Sequence, residues 1–381
     1  MNYLSDTLLK KFLAIVVLLL LISTLLVAQT KDTTTASTTP AATTAPPANP
    51  LSITGLVDVN YNYNFNSPLS RMNTYRNFDV QENSFNINEA RLTFQKNAAP
   101  VGFRVDLAYG QTMDLVNSNA SLGGSNGQLS LKNVEQAYLT AVVPIGSGLT
   151  INAGKMVTHM GSEVIETLGN INYSRSFLFT FAIPYDHNGI SAAYTWSPQF
   201  STNLYVYNGW NDVITVNSGK TLGAEITWTP DSVFNFTENF IGGAEEPNSY
   251  AKRYVFDSIF NLQATDALFV TLDADYGQES DTPVGFAIWK GAALTGKYTL
   301  TDVSAIAARG EYYYDQNGFT TGTLQSLKEI TATYEYKFGG SLVTRLEYRY
   351  DWSGVDSFED SNGNFTKNNQ NTLLIGSVYS F

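Results

Sequence analysis

The chain predicts an all-β protein: a transmembrane antiparallel β-barrel of about sixteen strands, with short turns at one rim and long loops at the other. Three observations predict it. Segment after segment carries apolar residues on one parity and polar residues on the other, as a strand does when its two faces meet different surroundings. The connections between these segments alternate short and long. The last segment, 373–381 (LLIGSVYSF), sets Leu373, Ile375, Tyr379 and Phe381 on one parity, and its backbone needs a partner, most simply the first strand of a closed sheet.

Taken from the N-terminus, Lys10 and Lys11 precede an apolar stretch over 12–27, and Ala28 offers a small residue before Gln29. This is the pattern of a secretory signal over 1–28. Residues 29–50 are almost entirely Thr, Ala, Pro and Ser, a composition that cannot bury enough apolar area to fold and reads as a disordered tether. The barrel is expected over 51–381. The absence of Cys excludes disulfides, thiolate nucleophiles and thiolate metal ligands. Removing Lys10, Lys11 and Asp6 with the signal leaves 20 basic and 33 acidic residues, a net of −13, which argues against nucleic acid as a partner. The 23 Tyr and 22 Phe suit aromatic girdles at two membrane interfaces.

The predicted strands are 51–65, 84–95, 101–113, 132–143, 149–156, 189–196, 200–208, 220–229, 233–242, 253–263, 268–276, 285–300, 305–314, 325–338, 342–352 and 372–381. In the first, Ile53, Val57, Val59, Tyr61, Tyr63 and Phe65 oppose Asp58, Asn60, Asn62 and Asn64. In the third, Val101, Phe103, Val105, Leu107 and Tyr109 oppose Arg104 and Asp106. The ninth alternates poorly around Glu238. Pro, Gly, Asn and Asp fill the seven short turns, such as Ser197-Pro198, Pro230-Asp231 and Gly339-Gly340. Long loops are expected near 66–83, 114–131, 157–186, 209–218, 243–252, 277–284, 315–324 and 353–371, with one short helical turn at 163–168.

Three stretches carry a family resemblance: INEARLTFQK at 87–96, AGKM followed by GSEVIE at 153–166, and SFLFTFAIPYDHNGI at 176–190. With them, 51–381 resembles the OmpL-like β-barrel porins of Gram-negative outer membranes. The resemblance implies a water-filled barrel that passes small hydrophilic solutes, set in outer-membrane lipid and lipopolysaccharide. It also implies a C-terminal Phe381 read by the barrel-assembly machinery. It assigns no catalytic residue and no cofactor, and it leaves a homo-oligomer open.

Opposite the apolar parity lie Glu89, Arg91, Arg104, Asp106, Glu225, Asp273, Asp275, Arg309, Glu311, Arg345, Glu347 and Arg349, the candidate pore lining. Facing lipid near the midplane, each Arg would cost roughly 2–4 kcal/mol; facing water inside a wide barrel, it costs little. Arg91, Arg104, Arg309, Arg345 and Arg349 set against loop carboxylates Glu163 and Glu166 would make a transverse field; the alternative is cross-strand pairing that keeps the channel wet. Mixed signs with an acidic surplus predict weak selectivity leaning to cations. The longest loop, 157–186, is the candidate constriction, with Glu163, Glu166, Arg175, Phe177 and Phe179 as its candidate residues. Its Phe177, Phe179 and Phe181 either pack inside the barrel or form a further strand above the membrane.

Catalysis is not expected. Only His159 and His187 are present, both in that loop, and a relay with Asp186 and Ser174 or Ser176 requires groups converging from different elements. No metal site is expected either. Asp273-x-Asp275 and the loop bearing Asp356, Glu359 and Asp360 cluster the oxygens Ca²⁺ prefers, yet the loop lacks the spacing and the closing Glu of a calcium loop. The rival to a porin is a non-conducting barrel used for structure or surface interaction, of adhesion or phage-receptor type.

Overall fold

A computed structural model describes residues 50–117, 131–247 and 249–381. The expected signal at 1–28 and all but the last residue of the expected tether lie outside the described residues, as does Gly123-Gly124 of the second long loop.

Sixteen antiparallel strands close into one barrel. In chain order they are β1 (Ser52–Asn64), β2 (Ser84–Lys96), β3 (Val101–Tyr109), β4 (Val134–Val143), β5 (Leu149–Val157), β6 (Asp186–Ser197), β7 (Phe200–Tyr207) and β8 (Thr221–Trp228), then β9 (Phe234–Gly243), β10 (Arg253–Gln263), β11 (Leu268–Thr282), β12 (Gly285–Thr301), β13 (Ser304–Asp315), β14 (Gln325–Phe338) and β15 (Leu342–Ser353). A small hairpin of β16 (Phe358–Glu359) and β17 (Phe365–Lys367) sits in the last loop, and β18 (Asn369–Ser380) closes the ring between β15 and β1. Closure satisfies the strand edges: Phe381 N–H donates to the Gly55 carbonyl at 3.0 Å, and Gly55 N–H donates to the Phe381 carbonyl at 3.1 Å.

Alternation decides which way each side chain points. On β1, Ile53, Val57 and Val59 are exposed on the outer wall while Asp58, Asn60, Asn62 and Asn64 are buried inside. On β15, Leu346 and Tyr348 face out between the buried Arg345, Glu347 and Arg349. The outer wall is therefore the apolar surface and the interior is polar, the reverse of a soluble domain and the arrangement lipid requires.

Three sequence expectations are corrected. The 277–284 loop does not exist: β11 runs on past Tyr276 to Thr282 and meets β12, which starts at Gly285 as expected, across a tight Pro283-Val284 hairpin, because the alternation of β11 continues beyond its expected end. The third strand stops at Tyr109, and Gln111–Val116 winds into a short α-helix, α1, that no apolar period announces. The helical turn expected at 163–168 is a 3₁₀ turn at Thr167–Gly169 instead.

The partition predicts a steep asymmetry between the two faces. Replacing the outward, 49%-exposed Leu346 by Arg is expected to cost roughly 2–4 kcal/mol in a reversible denaturant titration of folding into vesicles. Replacement by Val is expected to cost little in the same titration.

Candidate functional site

In a ring of sixteen, β5 and β6 stand diametrically opposite β13 and β14. The connection between β5 and β6, residues 158–185, leaves the wall and bonds to the far side, so it crosses the lumen. Most anchoring contacts pair a wall side chain with loop backbone or a loop charge. Asp257 of β10 accepts from Gly161 N–H at 2.5 Å, and Asp273 of β11 accepts from Ser162 N–H at 2.9 Å and Ser162 Oγ at 2.7 Å. Arg309 of β13 pairs with Glu163 at 2.6 Å, and Arg91 of β2 pairs with Glu166 at 2.7 Å. Arg345 of β15 donates to the carbonyls of Thr167, Asn170 and Asn172 at 2.9, 2.7 and 3.1 Å. Glu347 accepts from the N–H groups of Tyr173 and Ser174 at 2.6 and 2.9 Å, and Glu311 accepts from those of Phe177 and Leu178 at 2.7 Å each. Arg349 donates to the Arg175 carbonyl at 2.5 Å.

The logic is bookkeeping of backbone polarity. An irregular segment inside a barrel has N–H and C=O groups with no ladder partner, and each needs one. Inward-facing Arg supplies several donors in a fixed fork and Glu supplies paired acceptors, so one wall residue caps two or three loop groups. Small wall residues make the room. A Cβ at Gly376 of β18 would lie 2.2 Å from the Tyr173 ring, and one at Gly291 of β12 would lie 2.8 Å from Leu178.

Toward the loop rim the interior is a packed core. Phe177 and Phe179 are buried there, with Phe78 of the first loop, Tyr185, Trp289, Tyr313, Leu327 and Phe358 of the small hairpin. Residues Leu178–Ala182 form a π-helical turn, so Phe177, Phe179 and Phe181 pack inside the barrel and make no extra strand. Arg175 does not face the lumen. Its guanidinium donates to the carbonyls of Val164, Ile165 and Tyr173 and lies 4.8 Å from the Phe78 ring centroid, so it ties the loop to itself. Toward the turn rim the lining is partly open: Arg104, paired with Asp106 at 2.9 Å, and Lys297, paired with Glu335 at 2.9 Å, keep about a quarter of their side-chain surface in contact with solvent. A cavity of about 360 Å³ lies between loop residues 161–172 and the wall of β9 to β12, lined by Thr237, Asn261, Thr271 and Thr295 among others.

This architecture can be set against known proteins. Residues 50–381 match the family described as putative beta-barrel porin-2, OmpL-like. The chain belongs to this family. No curated protein matches the sequence. Among solved structures, the anion-selective porin from Comamonas acidovorans superposes with a TM-score of 0.60 at 10% identity, covering 87% of this chain and 99% of that one. The outer membrane channel DcaP of Acinetobacter baumannii superposes at 0.57 with 12% identity, covering 87% and 97%. Salmonella typhi OmpF, in complex with daunomycin, does so at 0.57 with 13% identity, covering 87% and 98%. At such identities the likeness concerns the fold. Family and fold together are those of an outer-membrane channel in a Gram-negative bacterium.

Within the OmpL-like barrel, all twelve candidate lining residues point to the interior, but in different settings. Glu89, Arg91, Asp106, Asp273, Asp275, Arg309, Glu311, Arg345, Glu347 and Arg349 are buried against the loop or each other, whereas Arg104 and Glu225 keep partial exposure. Arg309 and Arg91 meet Glu163 and Glu166 in direct contact instead of facing them across water. Sequence reading passed over Asp257, although its position two past Val255 and two before Ile259 gives it the inward parity of β10.

The histidines are corrected too. His187 belongs to β6, not the loop, and stacks on Tyr207 with centroids 4.0 Å apart; His159 stacks on Tyr205 at 4.1 Å. His187 nitrogens meet the Gly209 carbonyl and the Thr158 hydroxyl, both at 3.1 Å. Asp186, one residue earlier and hence on the opposite face, pairs with Lys155 at 3.2 Å, while Ser174 bonds to Arg309 and Arg349. The residues of a Ser-His-Asp relay are present but point to three different neighbours.

Burial, partly offset by a bond to the Phe240 carbonyl, lowers the pKa of His159 from 6.5 to about 4. The unfolded chain takes this proton first, so the stability the neutral ring contributes is complete above about pH 6.5 and is lost as pH falls toward 4. Ring NMR of the refolded protein is expected to show His159 uncharged until near pH 4; a midpoint near 6.5 would contradict its packing.

Proposed function

We propose that the chain is a porin for passive diffusion of small hydrophilic solutes and ions, through a lumen narrowed by loop 157–186 and biased by its charged lining. The observation that carries this reading is the loop itself, held across a polar interior by Arg91, Arg309, Arg345, Glu311 and Glu347, with solvent-facing ion pairs below it. A loop so clamped fixes the width of the water path at mid-barrel. The candidate lining counts seven acidic residues against five basic ones, which supports a weak preference for cations. The mechanism is diffusion without covalent chemistry.

The barrel's partners, in this reading, are outer-membrane lipid and lipopolysaccharide around its apolar wall, the assembly machinery at Phe381, and further copies of the chain. A trimer form of Vibrio cholerae OmpT, similar in fold at a TM-score of 0.53 and 10% identity, supports the last.

A second reading has one observation in its favour. The apolar core of Phe78, Phe177, Phe179, Trp289 and Phe358 fills the loop end of the barrel, as a closed barrel with a structural or surface-binding role would require.

Single-channel recording in a planar bilayer separates the two. The porin reading expects discrete steps of constant size and a reversal potential of cationic sign under a salt gradient. A folded, heat-modifiable barrel with no steps would favour the closed barrel. Glu347→Gln, which weakens the acceptor for Tyr173 and Ser174 N–H, is expected to raise the conductance or make it fluctuate. A hydrogen bond to a charged acceptor contributes roughly 1.5–3 kcal/mol, so weakening two of them is enough to populate a displaced loop.

A further inference from the structure

Three carboxylates converge on the wall where the crossing loop first touches it. Asp257 of β10 and Asp275 of β11 are register partners, and Asp273 lies two residues back on the same inward face. One oxygen from each lies within 4.8 Å of those from the other two. All three residues are buried. Among the described residues, none of the three shares an ion pair with Lys or Arg; Arg309, which meets the loop one residue past Ser162, is engaged by Glu163 and Glu329.

Their hydrogen bonding is one-sided. Asp257 Oδ2 accepts from Gly161 N–H and from Asn239 Nδ2, and Asp273 Oδ2 accepts from Ser162 N–H and Oγ. Among the described residues, the remaining four of the six oxygens, including both of Asp275, have no hydrogen-bond partner. A buried acceptor without a donor costs roughly 1–3 kcal/mol, and more when it is charged. Asp275 is therefore a buried side chain directed at two other carboxylates with nothing to neutralise it. A neutral group in contact with Asp257 is also incompletely satisfied. Asn239 is fully buried and gives its Nδ2 to Asp257, while its own Oδ1 has no partner. Among the described residues the Thr271 hydroxyl, on the same face of β11, likewise has no partner, and it lines the cavity that also touches Gly161 and Ser162.

Buried like charges at this spacing persist only if protons or a cation neutralise them. Three carboxylate oxygens, one from each Asp and all within 4.8 Å of one another, match calcium, whose oxygen ligands stand at roughly 2.3–2.6 Å. We propose that Asp257, Asp273 and Asp275 form a divalent-cation site of the calcium-binding class, and that the bound ion locks the Gly161-Ser162 entry of the crossing loop to the β10–β11 wall. The ion keeps the carboxylates charged, so Oδ2 of Asp257 and of Asp273 remain strong acceptors for the loop. Its polar route of entry is the threonine-lined cavity. The site serves loop anchoring whether or not the barrel conducts.

The test uses the full barrel, refolded in detergent without lipopolysaccharide, stripped with chelator and desalted. Calorimetric titration with CaCl₂ is expected to show one saturable site per chain, weaker with MgCl₂, and Ca²⁺ is expected to raise the Tm of the stripped protein. In Asp273→Asn/Asp275→Asn both effects are expected to vanish, and the metal-free Tm is expected to exceed that of the stripped wild type because the repulsion is gone. If the double variant does not fold, Asp275→Asn alone takes its place, since it removes only the carboxylate that holds no hydrogen bond. A wild type whose heat signal and Tm ignore Ca²⁺ would overturn the site in favour of shared protons. Calcium binding that survives the substitutions would place it elsewhere.

Discussion

The structure depends on one constraint: a segment of irregular backbone lies inside a barrel, away from the ladders that satisfy every other peptide group. Sixteen strands enclose more space than their own inward side chains fill. The 158–185 connection occupies part of that space, and its N–H and C=O groups must find partners there. The wall answers with arginines and glutamates at fixed inward positions. Their recurrence at a spacing of two along β13 and β15 is the wall's half of that contract, and the glycines at 291 and 376 give the loop clearance.

Charge in this interior consequently does two different jobs. Where Arg meets Glu directly, as in Arg309 with Glu163 and Glu329, the pair is locally neutral and acts as a clamp. Such contacts contribute little to a long-range field, because the opposite charges lie within 2.6 Å of one another. The field that a passing ion would feel comes from what is left over: Glu225, bonded to the Tyr205 hydroxyl, and the acidic cluster beside the loop entry. The distinction between clamping and lining charges is a matter of contact distance, and residue type alone carries no information about it.

The two ends of the barrel differ in kind. The loop end is built like the inside of a soluble protein, with edge-to-face aromatics such as Phe78 and Tyr185. The turn end is built like a wet channel, with ion pairs that keep part of their surface in water. With a soluble-type core at the loop end, a path through it would be widened or closed by repacking the 178–185 segment against Trp289 and Tyr313, a local change that leaves the strands intact.

By itself the sequence determined the strand count, the ring order implied by alternating turns and loops, and which parity faces lipid, because period-two alternation is local and a membrane punishes every error in it. Family membership was legible in three short stretches for a related reason, since they include the loop and the wall residues that must fit it. Only the tertiary structure decided what the inward residues touch. Glu163 and Arg309 are 146 positions apart, and Asp257 joins Asp273 and Asp275 only through strand register. It also moved His187 from loop to strand, erased the 277–284 loop and turned Arg175 back on its own loop, all for one reason. Where an irregular segment goes is set by the shape and donors of a cavity formed by distant strands, and no local pattern encodes that cavity.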